Sequence, residues 1–406
     1  MRSQQPVKAS GTRGLYRLLA STGVSIAGQG MVLAAVPLLA VRLTSSPIGV
    51  SLTVAASYAA WLLIGLPAGA LVDRWPRRLT LVVADLVRAA ILGLLALAVV
   101  WGLANIWVLV VAVFLVGAAN CFFDPAAQAA LPSVVGRDAE KLASANGRMW
   151  SLDLIGRTLI GPPVGAALFV AAVSLPFLVN AGTFVVSALL LAGLGRMAVS
   201  VPPDGHPQVL PSVRSGLTFL WGHPELRTLT VGMAVFNLTY NIAYSTFVLY
   251  AKDRLQVSDQ GFGFLLAASA VGGLIAAYVV PKLRRELSAA GLYALGLSVQ
   301  GVGWFIVWLV PNAWVAGVAI ALVGMASMTV TVLGGTARQR RTPDELLGRI
   351  SATTRVAGIG SAAIGALLGG VSANWLGIQA PVIIAAVVVV LAALLLVMNE
   401  RAGHED

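Results

Sequence analysis

Twelve apolar runs, most of them twenty residues or longer and separated by short polar loops, leave this chain few ways to fold. A helix needs roughly 20 predominantly apolar residues to cross a bilayer. In lipid every backbone N–H and C=O must be satisfied within its own segment, so runs of this kind are expected as membrane-spanning helices. Spans are predicted near 16–41, 49–72, 79–102, 105–130, 146–171, 174–195, 226–250, 260–281, 288–310, 313–336, 350–373 and 378–398. The first run is too long for the ~7–15-residue core of a signal peptide and is expected to remain as span 1.

Composition agrees with an all-α membrane protein. Hydrophobic residues make up 58% of the chain and charged residues 11%, against roughly 25% charged in soluble proteins. The net charge of +11 could suggest a nucleic-acid partner, but the basic residues sit in short loops between apolar runs, which argues against one. A single cysteine, Cys121, excludes a disulfide framework. His206, His223 and His404 fall in one long loop and the tail, so no metal cluster is expected.

Lysine and arginine set the orientation. Arg2, Lys8, Arg13 and Arg17, then Arg74, Arg77 and Arg78, Arg137 and Lys141, Arg196 and Arg214, Lys282, Arg284 and Arg285, Arg338, Arg340 and Arg341, and Arg401 all fall on one side. Only Arg42, Lys252 and Arg254 fall on the other. The first side is expected to be cytoplasmic and to hold both termini, which an even number of spans allows.

The segment Gly69-Ala70-Leu71-Val72-Asp73-Arg74-Trp75-Pro76-Arg77-Arg78 is a basic elbow with one acid. Gly65 and Gly69 form a GxxxG pair, which lets helices approach closely. Asp73 and Arg77 are four apart and can pair on a helix surface. A degenerate copy, Ala277-x-x-x-Pro281-Lys282-x-Arg284-Arg285, follows about 200 residues later. Gly147-Arg148 and Gly348-Arg349 open spans 5 and 11 at a similar offset. The chain therefore reads as two six-span halves, 1–195 and 226–406, joined by a proline-rich linker at 196–225.

The elbow resembles the loop between helices 2 and 3 of the major facilitator superfamily, with Pro76 in place of a usual glycine. Leu43-Thr44-Ser45-Ser46-Pro47, Phe122-Phe123-Asp124-Pro125-Ala126 and Thr342-Pro343-Asp344-Glu345-Leu346-Leu347-Gly348-Arg349 are similar to segments of its drug, macrolide and siderophore exporters. The resemblance implies a secondary transporter of twelve spans in a bacterial inner membrane. It would be a monomer with a small-molecule substrate and lipid neighbours, with no cofactor beyond a proton gradient.

Under that resemblance, Gly69, Asp73, Arg74, Arg77 and Arg78 with Asp124 on span 4 form a gating relay; the alternative is that they only fix helix ends. Asp73 is also expected to cap the start of span 11. On span 5, Asp153 and Arg157 are four apart. They read either as a proton-coupling pair or as a fixed ion pair to span 4 or span 1. The following Gly161-Pro162-Pro163-Val164-Gly165 resembles the exporters' helix-5 kink, Gly161, Pro162 and Gly165 bending the helix and admitting a close neighbour. Many exporters carry an acid in span 1 where this chain has Gln29, which cannot titrate. Asp85 and Arg88 are expected near the membrane interface as anchors.

The expected cargo surface is polar and aromatic. Asn237, Tyr240, Asn241 and Tyr244 fall at i, i+3, i+4 and i+7, on one stripe of span 7. That stripe serves either a cavity or packing between helices. Ser25 and Gln29 on span 1, Tyr58 and Trp61 on span 2, Asn120 on span 4, and Ser327 and Thr331 on span 10 are further cavity candidates. Gln300, Trp304 and Trp308 stripe span 9, which is peripheral in this superfamily, and are expected to face lipid or the interface. The expected function is proton-coupled efflux of an antibiotic, drug or siderophore by rocker-switch alternating access. The alternatives are a lysophospholipid flippase or uncoupled importer of the same fold, and a membrane-bound receptor or enzyme. No nucleophile–base set or nucleotide loop supports an enzyme.

Overall fold

The computed structural model describes residues 11–72, 74–135, 138–194, 217–284 and 288–402. Long helices dominate: α1 (Gly11–Leu43), α2 (Pro47–Val72), α3 (Arg77–Val100), α4 (Ile106–Val135) and α5 (Ala139–Leu152). A π-helical stretch, Asp153–Ile160, follows and leads into α6 (Gly161–Ala171) and α7 (Leu175–Ala192). The second half holds α8 (Pro224–Tyr244), α9 (Phe247–Asp253), α10 (Asp259–Leu283), α11 (Ala289–Leu309), α12 (Ala313–Arg341), α13 (Asp344–Leu376) and α14 (Ala380–Ala402).

Among the described residues, 11 helical segments are long and apolar enough to cross a membrane. Predicted span 7 is the exception. It divides into α8 and α9 at Ser245 and Thr246, and Arg227, Thr228, Thr230, Asn237, Thr239 and Asn241 lower the hydropathy of α8. At about 1.5 Å per residue, α8 is still long enough to span the hydrocarbon. Polar side chains set several helix starts. Ser258 accepts from the Gly261 N–H, Ser288 from the Gly291 N–H, Asp138 from the Lys141 N–H, and Asn312 from the Trp314 and Val315 N–H groups. Each cap satisfies a donor that the first helical turn leaves free.

The same neighbour pattern recurs in both halves. α1 packs on α6 and α7, α2 on α4, and α3 on α4 and α7. In the second half α8 packs on α13 and α14, α10 on α12, and α11 on α12 and α14. Between halves α2 lies along α13, and α6 along α10.

One membrane face, carrying Arg42 and Asp259, is here termed the latch face; the opposite one, carrying Arg74 to Arg78, the elbow face. Near the latch face the halves are in close contact. A Cβ on Gly370 of α13 would clash with Ser51 of α2, and one on Gly263 of α10 would lie 2.6 Å from the Pro162 carbonyl. Toward the elbow face a Cβ on Gly69, Gly147, Gly334 or Gly335 would meet nothing within 4 Å.

Two expectations need revision. Predicted span 5 is an α–π–α helix, because Pro162 and Pro163 have no N–H and the preceding carbonyls re-pair in a wider register. The Gly65–Gly69 pair brings no helix backbone close in this conformation: Gly65 faces the Trp61 ring and Cys121, and Gly69 is open. Most of the expected linker lies outside the described residues.

Candidate functional site

Two cavities lie at the junction of the halves. The first holds about 290 Å3 and is lined by Gln29, Tyr58, Asn120, Arg157 and Asn180 from the first half and Tyr244 from the second. The second holds about 250 Å3 and is lined by Tyr58, Thr158, Tyr240, Tyr244, Ser269 and Trp304. They share Leu33, Tyr58 and Tyr244, so the two tyrosines stand between neighbouring compartments.

The α8 stripe divides its labour. Asn237 and Asn241 donate to the carbonyls one turn earlier, Met233 at 2.9 Å and Asn237 at 2.8 Å. Tyr240 and Tyr244 stack on each other with centroids 5.2 Å apart and reach the second cavity. Asn241 is fully buried, its Oδ1 has no hydrogen-bond partner, and it faces Tyr58 of the other half. Gln29 donates to Ser25 Oγ at 3.2 Å, and Ser25 is buried beneath it. Trp61 is half-buried under the Arg355 guanidinium, 4.8 Å from its ring centroid, a cation–π contact that crosses between halves. Ser327 and Thr331 line neither cavity, and the exposed Thr331 hydroxyl donates to the Ser327 carbonyl.

Span 9 does not face lipid at Gln300 and Trp304. Both are fully buried. Gln300 donates to Thr239 Oγ1 at 3.1 Å, and Trp304 packs edge-on to Phe247 and beside Tyr240 in the wall of the second cavity. The Trp304 indole N–H is buried with no partner. Trp308 is half-buried against the exposed Phe305. The i, i+4 spacing of Gln300 and Trp304 identifies their common face, but sequence alone does not say what that face meets.

Asp85 and Arg88 are not interfacial anchors either. Arg88 lies about 16 Å into α3 from Arg77, and both side chains have no exposure. Arg88 pairs with Asp85, donates to Asn120 Oδ1 at 2.9 Å, and sits over the rings of Phe123 and Phe184. Asp124, one turn beyond Asn120 and half-buried, is surrounded by charge: Arg157 and Arg88 from its own half, Arg355 from the other, and Asp153.

Arg77 is not joined to Asp124. Its guanidinium donates to the Ala129 carbonyl at 3.0 Å and to Ser133 Oγ at 2.9 Å, near the end of α4. Asp73 lies outside the described residues, so its share in a relay and its capping of span 11 are not described. Arg74 is exposed and Arg78 half-buried. Asp153 and Arg157 pair within the π-helical stretch at 2.8 Å, not to span 4 or span 1; the buried Arg157 Nε makes no directed hydrogen bond there.

The helix-5 glycines sit against α1. A Cβ on Gly30 would come within 2.5 Å of the Gly156 carbonyl, one on Gly161 would clash with Gly30, and one on Gly165 with Met31. This backbone-to-backbone contact fixes the wall from which Gln29 and Arg157 meet the first cavity. Asn180 and Arg355 are features of the candidate site that sequence reasoning missed, while it placed Trp304 and the Asp85–Arg88 pair elsewhere. Asn180, polar in an apolar span, was the clearest available signal.

Residues 18–358 match the family model described as Major Facilitator Superfamily. The chain is 27% identical over 366 residues to the multidrug efflux pump Tap of Mycolicibacterium fortuitum, covering 87% of this chain and 88% of that protein. It is 31% identical over 362 residues to the enterobactin exporter EntS of Shigella boydii serotype 18, covering 86% and 83%. Among solved structures, a bacterial homolog of the human lysosomal transporter Spinster, inward-facing and unoccupied, superposes with a TM-score of 0.76 at 15% identity, over 97% of this chain and 98% of that one. The nucleoside transporter NupG gives 0.72 at 11% identity, over 95% and 98%.

Proposed function

The chain belongs to the major facilitator superfamily, and from that premise we propose that it exports amphipathic small molecules across a bacterial inner membrane in exchange for protons. As a member of that family it is a multi-pass membrane transporter and not an enzyme. The observation that carries the proposal is the pair of cavities between the halves, bounded by tyrosines from both, the second walled by Trp304, whose buried indole N–H has no partner. A ligand that pairs such an atom recovers a hydrogen bond the empty site forgoes. Mixed apolar, aromatic and hydroxyl walls suit a range of amphipathic cargoes.

The efflux direction is supported by relatives named as an efflux pump and an exporter. In this reading the elbow face is cytoplasmic with both termini, and the conformation is closed outside. Rocking would open the latch face and bring Gly69 of α2 against its neighbours. Protons would act on the cluster of Asp124, Asp153, Arg157 and Arg88. Neutralising Asp124 would weaken its attraction to Arg355 and so loosen the halves from each other. No cofactor is needed beyond the proton gradient.

The test is uptake into inside-out vesicles of a panel of antibiotics, siderophores and lysolipids. Tyr244→Ala and Gln29→Leu should each change preference within the panel by about tenfold, or ~1.4 kcal/mol. Uptake confined to lysolipids would favour a flippase. Identical preference in both variants would remove the cavities from the cargo path.

A further inference from the structure

On the outer side of α3 and α4, away from the interface between the halves, lies a groove of about 580 Å3. Its floor is small, with Ala84 on α3 and Ala118 and Ala119 on α4. Its ridges are apolar and exposed: Leu79, Val83 and Val87 on one side, Leu115 on the other. From Trp75 to Ile91 it follows α3 for about 24 Å, a length suited to a long acyl chain. The Thr80 hydroxyl, its one hydroxyl-bearing side chain, already donates to the Pro76 carbonyl. Trp75 and Phe122 stack at 5.8 Å and close the elbow end.

At that end stand three cations. Arg77 is occupied by Ala129 and Ser133 of α4. Among the described residues neither Arg74 nor Arg78 has a hydrogen-bond or ion-pair partner. Trp75 between them is 44% exposed, a residue type that favours the headgroup level. We propose that this groove is a binding site for an anionic phospholipid, one acyl chain lying between α3 and α4 and the phosphate resting on Arg74 and Arg78. Charge complementarity selects the anionic lipid over a zwitterionic one, because two guanidiniums with no partner among the described residues attract negative headgroups at the membrane surface. The occupant would sit on the elbow itself, the segment that joins α2 to α3.

Native mass spectrometry of the full chain tests this, released from vesicles of mixed phosphatidylglycerol and phosphatidylcholine. The wild type is expected to retain phosphatidylglycerol over phosphatidylcholine, with a preference on the order of tenfold. Arg74→Gln with Arg78→Gln should abolish the preference while the melting temperature holds, since neither side chain is buried. Ala118→Leu, which fills the floor, should lower retention of both lipids. A preference that survives the double variant, or equal retention of the two lipids by the wild type, would overturn the proposal and leave only annular lipid. Retention unchanged by Ala118→Leu would likewise remove the groove as the site.

Discussion

Arg42, at the end of α1, lies 2.8 Å from Asp259, at the start of α10, and ties the two halves together at the latch face. Asp259 also holds Lys252, so one carboxylate gathers two of the three cations that the orientation argument assigned to this side. The Arg42 guanidinium stacks over Phe169 at 4.5 Å.

Asp259→Asn should favour the latch-open state. Arg42 is 47% exposed and Asp259 20%, and exposed pairs contribute only about 0–1 kcal/mol. The expected shift in population is therefore at most about fivefold. Spin labels at Leu103 and Pro311, both exposed at this face, should show a longer distance more often in the variant. An unchanged distance distribution would mean that apolar packing alone closes the face.

Asp85→Asn should cost stability. Breaking a fully buried pair by removing one charge costs about 3–5 kcal/mol, whereas Asp85→Asn with Arg88→Gln should cost less than the sum of the two single changes. Cys121, the sole and buried thiol, reports unfolding through its reactivity to a thiol dye. A melting temperature unaltered by Asp85→Asn would contradict the buried pairing.

Two glycine substitutions should separate packing from motion. Gly161→Ala collides with the α1 backbone at Gly30 and should destabilise by about 1–3 kcal/mol. Gly69→Ala meets open space and should leave melting unchanged, while transport falls because α2 must close there in the other state. Full transport by Gly69→Ala would remove Gly69 from the gating segment.

Trp304→Phe deletes the buried N–H without a partner. It should leave the empty transporter folded and weaken cargoes that present a hydrogen-bond acceptor by about 1–3 kcal/mol. Equal affinity for acceptor-bearing and acceptor-free analogues in wild type and variant would place cargo elsewhere.

The membrane spans were legible because a bilayer demands length and hydrophobicity, and ten of the twelve predicted runs appear as single helices. The exceptions, spans 5 and 7, contain Pro162–Pro163 and the polar α8 stripe, where local backbone chemistry competes with simple hydropathy. The site was half legible. Gln29, Tyr58, Asn120 and Tyr244 were found as polar or aromatic residues in apolar spans, and they do converge. Arg88 and Trp304 were misplaced because periodicity reports which residues share a face, not which neighbour covers it. Arg355 went unread because its partners, Trp61 and Asp124, come from the other half.

Proton movement in inside-out vesicles tests proton-coupled export most directly. A preformed pH gradient should collapse when a transported compound is added, only where the protein is present, and Asp124→Asn or Asp153→Asn should abolish the collapse while leaving the protein inserted. Protein-dependent cargo flux with no movement of protons would contradict the coupling and leave an uncoupled carrier.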